Sequence, residues 1–497
     1  MKQRLKIVQL TSEISPFSKT GGLADVLHSL PKKLAQMPHR VEKVVIITPY
    51  YGFIRKKDFP RETVAKNISL EIAGQEFSFT AKKTNLKTNL DIYFICNDKL
   101  FGGQKLYGYE NDGLRFYFFN KAALKLLENI NFSPDIVHCH DWQTGLTPNF
   151  LKIEKSPFFN NSVSVFTIHN LAFQGPRDWW KVPPEKQDDG KNSPPENLKK
   201  MNYINFTKRA IIHADVINTV SERYAKEILT PKFGQGLEKV LSRRKKDLYG
   251  IINGIDYAVF NPAFDDNIYI KYDWNKLRKK RLNKLALQRE IGLEESADTP
   301  LIGVVNRLTE QKGFDLIIQT FNHLIKLKLQ LVVVGSGEKN YIDFFKKMAK
   351  KYPQKISFIT PFKETWASKV NAGSDIFLLP SRYEPCGISQ LISLRYGSIP
   401  VVHETGGLAE TITDFNPLTN QGNGFTFPTY TKEGFLVALA RALENYKYPK
   451  VWEYLTWRAM KESFSWKLPA KKYLALYLIA LKKLKKTPSD KKFRSKY

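Results

Sequence analysis

Four places in the 497-residue chain hold side chains whose types and spacing suit them to chemistry. Glu384 and Cys386 lie in a polar loop after the apolar run Ile376–Leu379. The segment beyond it carries Ile388, Leu391 and Ile392 at helical spacing and stops at Gly397 and Pro400. Arg307 and Lys312 follow another apolar run, Leu301–Val305, and Gly313 opens the next helix. A planar guanidinium and a compact ammonium five residues apart suit a diphosphate. Lys19-Thr20-Gly21-Gly22 precedes Leu23, Val26, Leu27, Leu30 and Leu34, which share one helix face. A glycine pair there lets backbone N–H groups approach a phosphate, although a plain tight turn also accounts for it. Finally, His138-Cys139-His140-Asp141-Trp142 and Thr167-Ile168-His169-Asn170 end two apolar runs in groups that bind hydroxyls or metals. The metal reading is the weaker one, because adjacent strand residues face opposite ways and no pair stands at i, i+4.

The elements that must carry these groups alternate between strand and helix. Apolar strands are expected at Leu5–Leu10, Val44–Thr48, Ile92–Cys96, Ile136–His140, Val163–His169, Val216–Val220 and Tyr249–Ile252. A second series comprises Leu301–Val305, Leu331–Val334, Ile356–Ile359, Ile376–Leu379 and Pro400–His403. Such alternation predicts an α/β chain of doubly wound sheets, whose ligands bind where loops leave the carboxyl ends of the strands. Thr405-Gly406-Gly407 repeats that strand–turn–helix arrangement. Pro31 should kink or break the first helix, and Ser221 should cap the helix starting at Glu222. Gly175–Lys200 reads as a long surface loop, and Lys271–Ile291 as a basic helix with a solvated face. Gly335-Ser336-Gly337 lacks the third glycine of a dinucleotide fingerprint, since Asn340 takes its place. Asn253-Gly254-Ile255-Asp256 and the break at Asn261-Pro262 mark a boundary. The expected division is 1–250, 251–466, and a last helix with a basic tail over 467–497.

Length alone calls for two large domains, and 42% hydrophobic residues can fill their cores. The formal charge of +30 favours polyanions or phosphorylated ligands, yet the lysines are scattered. Dense runs occur only at Arg243–Lys246, Arg278–Arg281 and Lys482–Lys496, which read as solvated faces and a terminus. A nucleic-acid module would show steep salt dependence, but no nucleic-acid motif is present. Cys96, Cys139 and Cys386 are odd in number and far apart, which argues against a disulfide framework and for a reducing cytoplasm. No signal peptide or membrane span is expected.

KTGGLADV at Lys19–Val26, HDWQTGL from His140, HNLAFQG from His169, NRLTEQKGFDL from Asn306 and the Glu384–Gln390 loop resemble the bacterial glycogen and plant starch synthases. The likeness runs from Lys6 to about Tyr477. It implies two Rossmann-like domains facing a central cleft, the GT-B type, with the last helix crossing back to the first domain. It implies retaining transfer of glucose from ADP-glucose to an α-1,4-glucan, with UDP-glucose or another acceptor as the alternative. A silent glucan-binding scaffold is the remote reading. The catalytic set carried over is Glu384, His169, Asp141, Arg307 and Lys312. The nucleotide-sugar set adds Lys19, Gly21, Gly22, Asp25, Trp142, Asn170, Asn253, Cys386, Gly387, Ser389, Thr405, Gly406 and Gly407. Asn306 replaces a usual serine and Ser389 a frequent threonine. Ile392 stands where related enzymes carry a second acid, which disfavours a paired-carboxylate mechanism. No metal and no cofactor are expected. Arg307 and Lys312, helped by helix N-termini near Gly22 and Gly407, should meet the leaving charge. Oligomeric state is left open.

Overall fold

The computed structural model describes residues 4–176, 179–183 and 186–484. The chain divides into two compact units, one running to Asn253 and resuming at Trp466, the other Gly254–Ser465. Calls on the basic tail beyond Leu484 lie outside the described residues, as do parts of the Gly175–Lys200 loop.

The first unit is built on strands β1 (Leu5–Leu10), β2 (Val41–Pro49), β3 (Glu62–Ile72), β4 (Gln75–Lys87), β5 (Leu90–Cys96), β6 (Ile136–His140), β7 (Val163–Ile168), β8 (Val216–Thr219) and β9 (Leu248–Gly250). Their order is β3-β4-β5-β2-β1-β6-β7-β8-β9. From β5 to β9 all neighbours are parallel. Strands β6 and β7 are buried along their whole length, the polar side chains of His138, His140, Ser164 and Thr167 included. Only the β3–β4 hairpin is antiparallel on both sides of β4. It turns at Ala73-Gly74, both at positive φ, the backbone of a tight hairpin turn. The second unit holds β10 (Leu301–Val305), β11 (Gln330–Val334), β12 (Ile356–Ile359), β13 (Ile376–Leu379), β14 (Ile399–His403) and β15 (Phe425–Phe427). These are all parallel, in the order β12-β11-β10-β13-β14-β15.

Counted within each unit, both sheets contain the doubly wound order 3-2-1-4-5-6, with the β3–β4 hairpin inserted in the first. Strand order reverses between β1 and β6 in one unit and between β10 and β13 in the other. Loops leaving those strand ends therefore diverge and open a crevice.

Two expectations need correction. The helix Gly22–Ala35 continues past Pro31 without a break, and Pro31 is buried with Leu30 and Leu34. So near the helix end the missing N–H removes one bond while the apolar face remains intact. The basic helix Leu277–Glu290 is not a simple solvated face. Lys280 donates to the carbonyls of Ala372 and Ser374, both at 2.9 Å, and Lys284 pairs with Asp375 at 2.7 Å. Both lysines are buried, because the carbonyls and carboxylate they meet come from a distant helix and strand end. The helix Lys467–Leu484 packs Tyr473, Leu476, Tyr477 and Ala480 into the core of the first unit. Ser221 caps its helix by accepting from Tyr224 N at 3.0 Å. Among the described residues no helix is long and apolar enough to cross a membrane.

Candidate active site

In the second unit, β10 and β13 lie side by side and deliver Arg307, Lys312 and Glu384 to the same end of the sheet. Lys312 Nζ is 2.6 Å from Glu384 Oε2, which also accepts from Ser381 Oγ at 3.2 Å. Glu384 is 7% exposed, so the ion pair is largely shielded from water. The two loops are joined through their backbones as well, Arg382 N donating to Gln311 O at 2.9 Å. Gly313 adopts φ +79°, and a Cβ there would lie 2.6 Å from the Pro380 carbonyl carbon. Only glycine allows the Lys312 turn to sit so closely on the end of β13. Arg307 is exposed and makes no ion pair among the described residues. Burial raises the Tyr383 hydroxyl above its ordinary pKa, with Glu384 adding to the rise and Arg307 opposing it.

The glycine turn after β14 supports this loop from beneath. Gly407 N donates to the Glu384 carbonyl at 3.1 Å. A Cβ on Gly407 would stand 2.6 Å from both Cα and the carbonyl carbon of Cys386, and one on Gly406 would strike the Glu384 backbone. Gln390 completes the clamp, its Nε2 donating to the carbonyls of Cys386 and Gly387, each at 3.0 Å. Gly387 at φ +73° and Ser389 at the start of helix Ser389–Arg395 carry the loop into that helix. The role expected of a helix N-terminus at Gly407 is thus revised. The helix Gly406–Thr411 has six residues, and its Gly407 amide is already occupied by Glu384. The glycines serve close backbone approach. Thr405 lies beneath with a buried hydroxyl that has no partner.

In the first unit the reversal between β1 and β6 gathers Glu13, the Lys19–Gly22 loop and Asp141. Glu13 was not singled out by its sequence context, yet its carboxylate organises the loop. It accepts from Thr20 N and Thr20 Oγ1, both at 2.6 Å, from the Tyr107 hydroxyl at 2.7 Å and from Gly21 N at 3.3 Å. This also corrects the reading of Gly21, because its amide, expected to face a phosphate, faces Glu13. Gly21 itself has open space where a Cβ would stand. Lys19 pairs with Asp25 at 2.9 Å.

Asp141, one residue past β6, has φ +57° and ψ 179°, a conformation that L residues rarely adopt. The strain turns its carboxylate so that Oδ1 accepts from His169 N at 2.7 Å. Burial lifts the Asp141 carboxyl to about 7, against backbone donations from His169 and Asn170 and with a smaller push from Glu13. His169 Nε2 lies 3.0 Å from His140 Nδ1, and burial lowers His169 to about 3. Asn170 closes its own turn, its Oδ1 accepting from Ala172 N at 3.0 Å. Trp142 departs from the expected sugar-facing role. It is buried, with its ring edge-on to Phe116 at 4.9 Å and to Phe206 at 6.0 Å. Asn253, the last residue of this unit's first segment, has a buried Oδ1 without a partner.

Two doubly wound sheets, each with charged and hydroxyl-binding groups at its reversal point, fit the architecture of glycosyltransferases of the GT-B type. Comparison with known proteins is more specific. Residues 6–243 match the starch synthase catalytic domain family and residues 287–456 the glycosyl transferases group 1 family. Glycogen synthase from Geotalea daltonii is 43% identical and that from Pseudothermotoga lettingae 41%, each over 96% of this chain and 99% of the relative. Among solved structures, the catalytic domain of starch synthase IV from Arabidopsis thaliana, bound to ADP and acarbose, aligns with a TM-score of 0.87. It is 30% identical, covering 97% of this chain and all of that one. Sucrose-phosphate synthase from Thermosynechococcus elongatus, at 15% identity and a TM-score of 0.62, shares the fold alone. The chain belongs to the glycogen and starch synthase family.

Proposed function

We propose that this chain transfers glucose from ADP-glucose to the non-reducing end of an α-1,4-glucan, with retention of configuration. The observation that carries the reading is the 2.6 Å contact between Lys312 and Glu384 at the point where strand order reverses. Breaking the bond between the anomeric carbon and the diphosphate leaves positive character on the sugar and negative charge on the leaving group. A reaction of this kind needs a cation for one and an anion for the other, both preorganised. Lys312 and the exposed Arg307 would meet the diphosphate. Glu384 would face the sugar, held in place by Ser381 and by the glycine turn. In the first unit, Asp141 and His169 would bind sugar hydroxyls, and the Lys19–Gly22 loop, shaped by Glu13, would face the phosphates. Adenine as the base is supported by the ADP bound in the starch synthase IV structure.

The test is incubation of purified protein with glycogen and labelled ADP-glucose or UDP-glucose, scoring label in polymer and released nucleotide. ADP-glucose should be the faster donor. Glu384→Gln should lower kcat at least a hundredfold while nucleotide still binds. Near-normal turnover by that variant would remove Glu384 from the chemistry.

A further inference from the structure

His140 lies directly behind His169. Its Nδ1 is 3.0 Å from His169 Nε2, so one of the two nitrogens donates and the other accepts. His140 is fully buried, and its Nε2 has no hydrogen-bond partner. A proton on that Nε2 would leave an N–H without an acceptor in a dry interior, whereas a proton on Nδ1 leaves only a lone pair there. Buried orphan N–H groups are the rarer of the two. The proton therefore belongs on His140 Nδ1, His169 Nε2 accepts it, and the proton of His169 is on its own Nδ1. That second nitrogen makes no hydrogen bond among the described residues, and His169 is half-buried.

The neighbouring groups hold the arrangement neutral. The His138 ring lies 4.0 Å from that of His140. Gln9 Nε2 reaches the Tyr477 hydroxyl at 3.4 Å, so that hydroxyl gives its proton to His138 Nδ1 at 2.8 Å. His138 Nε2 is then the donor to Thr167 Oγ1 at 2.7 Å. Burial pushes all three imidazoles toward the neutral form. Two neighbouring buried rings with fixed protons thus stand behind the one ring that is partly open.

We propose that His140 is a positioning residue for glucosyl transfer, fixing His169 in the Nδ1–H tautomer so that it presents a donor to one hydroxyl of the sugar. This rests on the reading that His169 meets the donor sugar. The histidine ring 15N shifts of the full-length protein, with His169 assigned by its loss in His169→Asn, test the tautomer directly. Protonated Nδ1 and unprotonated Nε2 are expected, and the reverse overturns the proposal. Kinetics with ADP-glucose analogues, each lacking one hydroxyl, test the consequence. The native enzyme should penalise one analogue most. His140→Leu cannot donate to His169, so the penalty for that analogue should shrink about tenfold, and His140→Asn, whose amide can donate, should restore it. An analogue profile unchanged in His140→Leu overturns the proposal. If His169→Asn were as fast as the native enzyme on every analogue, the sugar-site reading would fail, while the nitrogen shifts would still decide the tautomer.

Discussion

Gly407→Ala separates close backbone packing from an anion-binding helix end. An alanine Cβ would sit 2.6 Å from two backbone atoms of Cys386, where ordinary contacts begin at 3.4 Å. Neither side can yield by turning a side chain, because both are main chain. The Glu384–Cys386 loop must then retreat by about 1 Å, and a displacement of that size at a reacting group costs on the order of a hundredfold in rate. Overpacking of this kind costs about 1–3 kcal/mol, within what a stable domain tolerates. The variant should therefore fold, with a modestly lower Tm, and lose about a hundredfold in kcat with labelled donor and glycogen. Gly21→Ala is the control for scaffold damage. Gly21 has an extended φ of −159° and no atom within 4 Å of an added Cβ, so its Tm should match the native value. A Gly407→Ala protein with native kcat would refute the claim that this glycine sets the position of Glu384. Loss of nucleotide binding at native kcat would favour the helix-end role instead.

Three further outcomes follow from the same contacts. Glu13→Gln keeps the shape but replaces one accepting oxygen with an amino group facing N–H and O–H donors, so donor KM should rise about tenfold, measured by steady-state kinetics. Asp141 has its folded pKa raised to about 7 from 3.8, so its contribution to stability is present at low pH and lost as pH rises through 7. Asp141→Asn should accordingly raise Tm at pH 8, with no gain near pH 4, while kcat/KM falls and its acid limb near pH 7 disappears. A native limb in that variant would assign the titration elsewhere. Lys284→Met removes a buried ammonium from the Asp375 carboxylate, leaving it to Leu301 N and the Tyr446 hydroxyl, and denaturant unfolding should register a loss of about 3 kcal/mol. Lys279→Met, on the exposed side of the same helix, should stay within about 0.5 kcal/mol.

The strand exits were legible because parallel strands covered on both faces are largely apolar, without interruption in β10 and β13 and apart from His138 and His140 in β6. Ile136–His140, Leu301–Val305 and Ile376–Leu379 coincide residue for residue with β6, β10 and β13. Those are the strands flanking the reversal points, so most of the candidate site was found with them. What stayed hidden depends on partners remote in sequence. Glu13 is an ordinary loop acid until Tyr107, 94 residues away, and the Thr20 turn close on it. Lys280 and Lys284 look solvated until carbonyls near residue 372 and the Asp375 carboxylate enclose them. Trp142 carried the right motif, but the signal for its burial lies in Phe116 and Phe206, which no local pattern connects to it. The β3–β4 hairpin escaped for a different reason, β3 being largely exposed and the turn formed by Ala-Gly rather than by a residue pair with stronger turn preference.

Both candidate phosphate-side lysines are held against carboxylates, Lys312 on Glu384 and Lys19 on Asp25. A chain carrying a formal +30 has no shortage of cations, so the pairing says something about how these two are used. An unpaired ammonium in a shielded site would be costly, whereas an ion pair with hydrogen bonds to its remaining atoms offsets much of that cost. For Lys312 the pairing has a kinetic meaning on the proposed reading. A diphosphate presents more negative charge than one carboxylate and draws the ammonium toward itself. The same movement would free Glu384 Oε2, leaving it the 3.2 Å contact to Ser381 and letting it face the sugar as positive character develops there. On that reading one bond would serve both ends of the breaking glycosyl–phosphate linkage, between two loops that Gly313, Gly406 and Gly407 allow to pack closely on their neighbours' backbones.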